Sequence, residues 1–332
     1  MTKIAAYSPF RVSFGGGGTD INPFCETYGG AVVNTAIDRG VTLIYTPDEY
    51  ELEISSRDFL RSVIIGKENE EDDVLHKMSM LFQGRGIDHG RIAINAGVPP
   101  GSGLGSSSAL VTAVLALIYR IKGVTNDPWQ IAREAFQIER DYFGVTLGKQ
   151  DPFAVSLGGF KFMEFKSGKE TIDRMTESAG FIKELEKRTL LVYTGKTRES
   201  SQVLREQVER SRKGSQEVVS NLLKMRDLAY EMKSAAKDND LDRFTGAINE
   251  GWILKKKLGK NVSNDKIDSI IKTASENGAA GVRLMGGGGE GFILAISKKN
   301  QLETLQKSLM DISSFVVRVS FEQGGTRTFE PA

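Results

Sequence analysis

The apolar pattern changes character along the chain. In the first half, short apolar stretches at Ala31–Val33, Val41–Tyr45, Leu52–Ser55 and Arg91–Ala96 predict strands, and Phe160–Phe165 predicts another. Asp72–Phe82 predicts a helix. Ser106–Ile121 is apolar nearly all round, which predicts a buried helix. Trp129–Phe143 predicts a second one, started by Asn126 or Asp127 with Pro128 in its first turn. The second half carries longer periodic stretches. Helices are expected at Ser200–Ser211, Gln216–Ala236, Asp240–Leu258, Asp265–Asn277 and Asn300–Met310. Strands are expected at Arg188–Tyr193, Gly281–Leu284, Gly291–Ile296 and Val316–Phe321. A polar stretch at Lys166–Asp173 separates the halves. This is an α+β pattern in two domains, residues 1–170 and 171–332, with a cleft between them.

Composition narrows the partners. The 332 residues suffice for about two domains. A formal net charge of +1 gives no reason to expect nucleic acid or a membrane surface as partner. No stretch approaches the roughly 20 apolar residues of a membrane span, and the N-terminus does not read as a signal peptide. The single cysteine, Cys25, fits a reducing compartment and hence the cytoplasm; it reads as a small core residue. His76 and His89 lie in polar surroundings and read as surface residues. Oligomeric state is not legible, and a homodimer is simply the default.

Glycine is unusually frequent, with 36 residues, so its placement matters. Three clusters, Gly15–Gly18, Gly101–Gly105 and Gly286–Gly291, adjoin strand-like or helix-like segments and are therefore not linkers. The central one, VPPGSGLGSSSALV, runs from a strand into the buried helix. Its glycines allow close backbone approach and positive φ. The helix N-terminus behind them favours an anion. Ser106, Ser107 and Ser108 can cap the helix, bond phosphate oxygens or reach a metal ion. There is no Gly-Lys-Ser/Thr ending, so this is not a Walker A loop, and the dinucleotide fingerprint spacing is absent too. A tight turn with serine caps fits the same residues; a metal ligand elsewhere decides between the two.

A candidate ligand lies in the second helix. At 100° per residue, Ile131, Ala132, Ala135, Phe136, Ile138, Tyr142 and Phe143 share an arc, and Glu139 is the one charge within it. A buried carboxylate requires a partner, either an ion pair or a metal ion. Asp151 follows in LGKQDPF, where Gly148 and Pro152 predict a turn that displays it from a loop. Lys149 is placed to orient it.

With these residues in order, the chain resembles the GHMP kinase superfamily. The resemblance rests on SPFRVSFGGGGTD, PPGSGLGSSSALV, GKQDPFAVSLGGFKFMEF, LVYTGKTRESS and the segment from GWILKKKL to LMGGGGEGF. Within the superfamily it is most similar to the D-glycero-D-manno-heptose 7-phosphate kinase group. The resemblance implies a ribosomal-protein-S5-like N-terminal domain, a ferredoxin-like C-terminal α/β domain, and an active site in the cleft between them. It implies ATP and Mg²⁺ as cofactors. Pro100, Gly101, Ser102, Gly103, Leu104, Gly105, Ser106, Ser107 and Ser108 then correspond to the nucleotide-binding loop, with Ser107 and Glu139 at the metal. Asp151 corresponds to the aspartate that accepts the substrate hydroxyl proton, and Arg11 to the arginine near the transferred phosphate. Gly17, Gly18, Thr19, Asp20, Lys149, Arg198, Gly287 and Gly288 correspond to the acceptor side. The chain departs from the usual pattern at Glu290, where glycine is common, and at Ser8–Pro9–Phe10 ahead of Arg11, both read as lying near the acceptor side.

The implied chemistry is in-line phosphoryl transfer from ATP to a hydroxyl of a small acceptor that already carries a phosphate. Cations available for that phosphate are Lys196, Arg198, Lys255, Lys256, Lys257 and Arg283, of which Arg198, ahead of a helix N-terminus, is the favoured one. Three readings compete: a heptose 7-phosphate kinase, an isoprenoid-pathway kinase such as a mevalonate 3-phosphate 5-kinase, and a catalytically silent ligand sensor on a kinase fold. Arg11 in place of lysine favours the first, and the joint presence of Glu139, Asp151 and the serine run disfavours the third.

Overall fold

The structure is a computed structural model that describes residues 2–56, 61–64, 74–98, 101–125, 127–195, 201–213, 215–259 and 261–331. Its strands are β1 (Ile4–Gly15), β2 (Gly30–Glu51), β3 (Glu53–Ser56), β4 (Arg61–Ile64), β5 (His89–Ala96), β6 (Phe160–Lys166), β7 (Lys169–Asp173), β8 (Thr189–Tyr193), β9 (Ala279–Leu284), β10 (Phe292–Ser297), β11 (Val316–Arg318) and β12 (Arg327–Phe329). Its helices are α1 (Phe24–Tyr28), α2 (Val74–Gln83), α3 (Ser106–Ile121), α4 (Pro128–Gln137), α5 (Gln150–Leu157), α6 (Ala179–Lys187), α7 (Ser201–Arg212), α8 (Gln216–Lys237), α9 (Leu241–Lys256), α10 (Asp265–Glu276) and α11 (Leu302–Met310).

The first sheet has the order β12-β1-β2-β5-β3-β4, with β6 and β7 branching from β2. The branch exists because β2 is long and bends. Its first part pairs with β6, its second with β5, and β1 runs along both. The two short strands expected at Ala31–Val33 and Val41–Tyr45 are therefore one strand of 22 residues. Register shifts at Pro9/Arg11 and Ser13/Gly15 of β1 absorb the bend.

The second sheet, β11-β8-β10-β9, is antiparallel and packs with α10 and α11 around its own core. The larger core joins the first sheet to α3 and also to α6, α8 and α9 from the second half. Phe14, Phe160, Phe181, Phe244 and Phe321 meet in it; the Phe14 and Phe244 ring centroids are 5.5 Å apart. The position chosen as a domain boundary falls inside β7 of the β6–β7 hairpin, and β12 returns to pair with β1. The two halves thus interlock, and both contribute walls to one cleft. No helix among the described residues is long and apolar enough to cross a membrane.

Two local differences bear on the site. The helix expected at Trp129–Phe143 is α4 followed by a π-helical turn, Ile138–Tyr142. The extra residue per turn keeps Glu139 buried but rotates Tyr142 outward, to 42% exposure. Asp151 does not sit in a loop but in the first turn of α5. Pro152 is tolerated there because first-turn amides have no intrahelical partner. The helix hid from the periodicity because it is short and buried almost all round.

Candidate active site

The central glycine loop bends back on itself before α3. Gly101, Gly103 and Gly105 have φ of 73°, 77° and 71°, a region that side-chain-bearing residues seldom occupy. Gly105 precedes α3, and no side chain caps that N-terminus. The first backbone bond of the helix runs from the Ala109 amide to the Gly105 carbonyl, which leaves the amides of Ser106, Ser107 and Ser108 facing the cleft. An oxyanion there would gain both hydrogen bonds and the helix dipole.

The third glycine cluster braces this loop. A Cβ on Gly286 would lie 2.7 Å from the Gly103 Cα, and one on Gly291 2.5 Å from the Ser102 carbonyl oxygen. The Phe292 amide donates to that same carbonyl at 3.1 Å. Glycine is required at both positions because backbone packs on backbone.

Glu139 faces the first turn of α3. The Ser107 hydroxyl donates to one carboxylate oxygen at 2.7 Å and the Ser108 hydroxyl to the other at 2.6 Å. Burial pushes the Glu139 carboxyl up to about 7; the serine bonds oppose this and the negative Asp151 adds to it. No cation is bonded to Glu139 among the described residues, so the ion-pair alternative finds no partner. A buried carboxylate flanked by hydroxyls is a donor set suited to a small hard cation. No cluster of three His, Cys, Asp or Glu side chains able to hold a metal occurs among the described residues. Mg²⁺ would therefore need Glu139, a serine and ligand phosphate oxygens together, a mode of binding usual for that ion.

Asp151 lies beside the glycine loop, its Oδ2 3.6 Å from where a Cβ on Gly105 would stand. Arg11 grips it in a bidentate pair, Nε to Oδ1 at 2.8 Å and Nη2 to Oδ2 at 2.7 Å. The same guanidinium donates through Nη1 to the Gly103 carbonyl at 2.5 Å, and the Arg11 amide to Leu104 at 2.9 Å. Arg11 thereby ties the glycine loop to Asp151. Asp20 is buried on the far side, where its two carboxylate oxygens accept the amides of Gly18 and Gln150 at 2.9 Å each. Burial raises its pKa, and these amides pull it down.

Arg11, Gly17, Gly18, Asp20, Gly101, Gly103, Gly105, Ser106–Ser108, Glu139, Asp151 and Gly287 line one cleft of about 440 Å³. Other expected site residues turn away from it. Thr19 exchanges hydrogen bonds with the Ala31 backbone, pinning the first cluster to β2. Leu104 and Ser102 are wholly buried, and Gly288 packs on Val262. Lys149 orients nothing in the cleft: its ammonium donates to Glu26 at 2.9 Å and lies 3.8 Å from Glu170. Ser8 is not on the acceptor side either, since its hydroxyl bonds those of Thr112 at 2.8 Å and Thr326 at 2.9 Å. Pro100, Lys196 and Arg198 lie outside the described residues.

Sequence reasoning missed the apolar end of the cleft, where Val41, Met78, Ile94, Val98, Leu110 and Val111 offer a surface for a flat ring. They come from four elements and the loop after β5, so no local motif announces them. It also passed over Gln150, whose side chain accepts from the Ser13 hydroxyl at 2.9 Å and donates to Asp151 at 3.3 Å.

Comparison with known proteins places the chain in a family. The family model for the GHMP kinase N-terminal domain matches residues 73–159, and that for the C-terminal domain matches residues 232–311. The chain belongs to the GHMP kinase family. Its fold is the two-domain fold of that family, and it is a phosphotransferase with a hydroxyl acceptor. The two matched regions carry Glu139 and Asp151 on one side and the third glycine cluster on the other. The D-glycero-alpha-D-manno-heptose 7-phosphate kinase of Campylobacter jejuni is 30% identical to this GHMP kinase over 342 residues, covering 99% of each chain. A mevalonate kinase of Pyrococcus horikoshii is 28% identical over 223 residues, covering 66% of this chain and 62% of its own. In fold, a D-glycero-D-manno-heptose 1-phosphate kinase from Bacteroides thetaiotaomicron superposes with a TM-score of 0.80 at 22% identity, over 99% of both chains.

Proposed function

We propose that the protein transfers the γ-phosphoryl group of ATP, with Mg²⁺, to a hydroxyl of a sugar phosphate such as D-glycero-D-manno-heptose 7-phosphate. The observation that carries this reading is the position of Asp151 beside the α3 N-terminus, locked to Arg11, which also holds the glycine loop. One arginine thereby couples the donor loop to the group placed to receive a proton. Loop amides bind the β- and γ-phosphates. The apolar end takes the base of the nucleotide. Glu139 and Ser107 would hold Mg²⁺, which would supply charge to neutralise the phosphates. Arg11 offsets charge on the transferred group. The acceptor hydroxyl lies against Asp151, which takes its proton or fixes its direction, while Asp20, Gly17 and Gly18 face the acceptor's remaining hydroxyls.

The heptose phosphate is favoured over a mevalonate derivative on two grounds. Similarity to the heptose 7-phosphate kinase extends along the full length, whereas that to mevalonate kinase covers two thirds of the chain. The acceptor side also presents polar backbone and Asp20, which suit a polyhydroxy compound. A silent sensor would not need Ser107, Ser108, Glu139, Arg11 and Asp151 held in register. Turnover of ATP with a panel of sugar phosphates and mevalonate derivatives tests the proposal. Heptose 7-phosphate is expected to give the highest kcat/KM, and preference for a mevalonate derivative would refute it.

A further inference from the structure

Two cations in the cleft have no role in the scheme above. Lys255, near the end of α9, is 4% exposed, and Arg283, in β9, is 1% exposed; both line the cleft. Both are anchored on backbone carbonyls. The Lys255 ammonium donates to the Gly286 carbonyl. The Arg283 guanidinium donates through Nη1 to the Phe14 carbonyl at 2.9 Å, with a longer Nε contact of 3.3 Å to Leu284. Neither has a carboxylate at salt-bridge distance among the described residues.

Two like charges held together with little solvent and no counter-ion are unfavourable. Burial pushes Lys255 down to about 7, with the positive Arg283 and Arg11 adding to it, and burial pushes Arg283 down to about 10. The neighbouring carboxylates do not discharge the pair. Asp151 is already neutralised by Arg11, and Asp20 spends both oxygens on backbone amides. The pair lacks an anion.

Position says which anion. Phe14 leads directly into the glycines Gly15–Gly18, so Arg283 stands behind the acceptor-side cluster, while Lys255 enters the cleft at Gly286, which packs on Gly103 of the glycine loop. From α7, Leu204 lines the cleft and Gln207 donates to the Gly18 carbonyl at 2.9 Å, covering the same side. The donor phosphates already have the α3 amides, Arg11 and the Glu139 site. A second basic pair beyond Arg11 exceeds what the donor needs.

We propose that Lys255 and Arg283 form a subsite that binds a phosphate monoester already present on the acceptor, making the enzyme selective for phosphorylated sugars. This rests on the phosphotransfer reading given above and identifies which acceptors that site admits. Lys255 and Arg283 are specificity residues, not catalytic ones, and replace Arg198 as the cations favoured for this task.

The test compares heptose 7-phosphate with the unphosphorylated heptose in wild type, K255M, R283M and R283K. Methionine removes a buried charge without leaving a large void but takes the donor from the Gly286 or Phe14 carbonyl, so thermal unfolding is followed for each variant to show that it is folded. In wild type, kcat/KM strongly favours the phosphorylated acceptor. In K255M and R283M that preference is expected to fall by about 30-fold or more, carried by the acceptor KM. R283K, which keeps the charge, should retain most of it. Equal loss on both acceptors, or a rise in the KM for ATP instead, would assign the pair to the donor and overturn the proposal. A binding arm separates this failure from failure of the kinase reading. With a non-hydrolysable ATP analogue saturating the donor site, heptose 7-phosphate should bind wild type at least tenfold more tightly than heptose does, and K255M should lose that difference. If wild type binds in this way yet turns over neither acceptor, the subsite stands and the proposed reaction falls. If wild type binds both equally, the subsite falls.

Discussion

The two walls of the cleft are built by different means. On the proposed reading, the donor wall is backbone. Three positive-φ glycines, an uncapped helix N-terminus and a bracing glycine strand present amides, with one carboxylate and two hydroxyls completing it. The acceptor wall is side chains brought from afar: Arg11 from β1, Asp20 after the first glycine cluster, Asp151 from α5, Lys255 from α9 and Arg283 from β9. A phosphate chain is the same in every ATP, and amides at a fixed helix end can read it. Acceptors differ, so recognition rests on charges whose placement depends on distant packing. The donor wall should therefore be sensitive to single backbone atoms and the acceptor wall to single charges.

The largest expected effect separates the walls most sharply. D151N keeps the shape of the side chain but removes the proton acceptor and weakens the Arg11 pair. Turnover should fall by about 10²–10⁴-fold, the range for general-base assistance. The Kd for ATP, from isothermal titration, should stay within a few-fold. Turnover within a few-fold of wild type would show that Asp151 only positions the hydroxyl.

Glu139 tests the donor wall through pH. Its pKa lies near 7 in the fold against an ordinary value of 4.5. Between those values the folded protein holds a proton that the unfolded chain has released, so metal-free stability declines as pH rises through that window. The decline should amount to roughly 3 kcal/mol, an order-of-magnitude figure from 1.36 kcal/mol per unit. Denaturant unfolding of wild type and E139Q at pH 4 and pH 8 checks it: the difference in stability between them should shift against wild type at the higher pH. A difference independent of pH would mean that Glu139 titrates alike in the folded and unfolded chain.

Backbone sensitivity gives the third effect. G286A places a methyl 2.7 Å from the Gly103 Cα at a residue whose φ is 72°. The loop must shift, and stability should fall by about 1–3 kcal/mol, as for other overpacked or strained positions. The KM for ATP should rise about tenfold, and more than that for the acceptor. The smallest effect is expected at Lys149, once a candidate for the acceptor. K149M breaks its bridge to Glu26 and should cost stability while leaving the acceptor KM within about twofold. A large rise in that KM would return Lys149 to the site.

Legibility in the sequence follows the same division. The glycine clusters, the buried helix after the central loop and the odd charge of Glu139 were readable because each is a local pattern. Asp151 was readable as a residue but not as part of a helix, because α5 is too short and too buried to show a period. Tyr142 was misplaced because a π-turn breaks the 100° rule used to place it. Lys149 and Ser8 were assigned to the acceptor side by adjacency in sequence, yet adjacent residues at a helix start or along a strand point in different directions.

The sequence alone therefore determined the local features of the proposed donor half, a glycine loop running into a buried helix and a carboxylate on an apolar face, since φ preference and helical period are properties of neighbouring residues. The tertiary structure decided the acceptor half. In the sequence Lys255 and Arg283 were two of six cations available for the acceptor phosphate, and Arg198 was the favoured one. Folding removed them from water, left them without a carboxylate at salt-bridge distance among the described residues, and set Arg283 against Phe14 and Lys255 against Gly286. Desolvation and charge pairing depend on what surrounds a residue in space, and chain order does not record that.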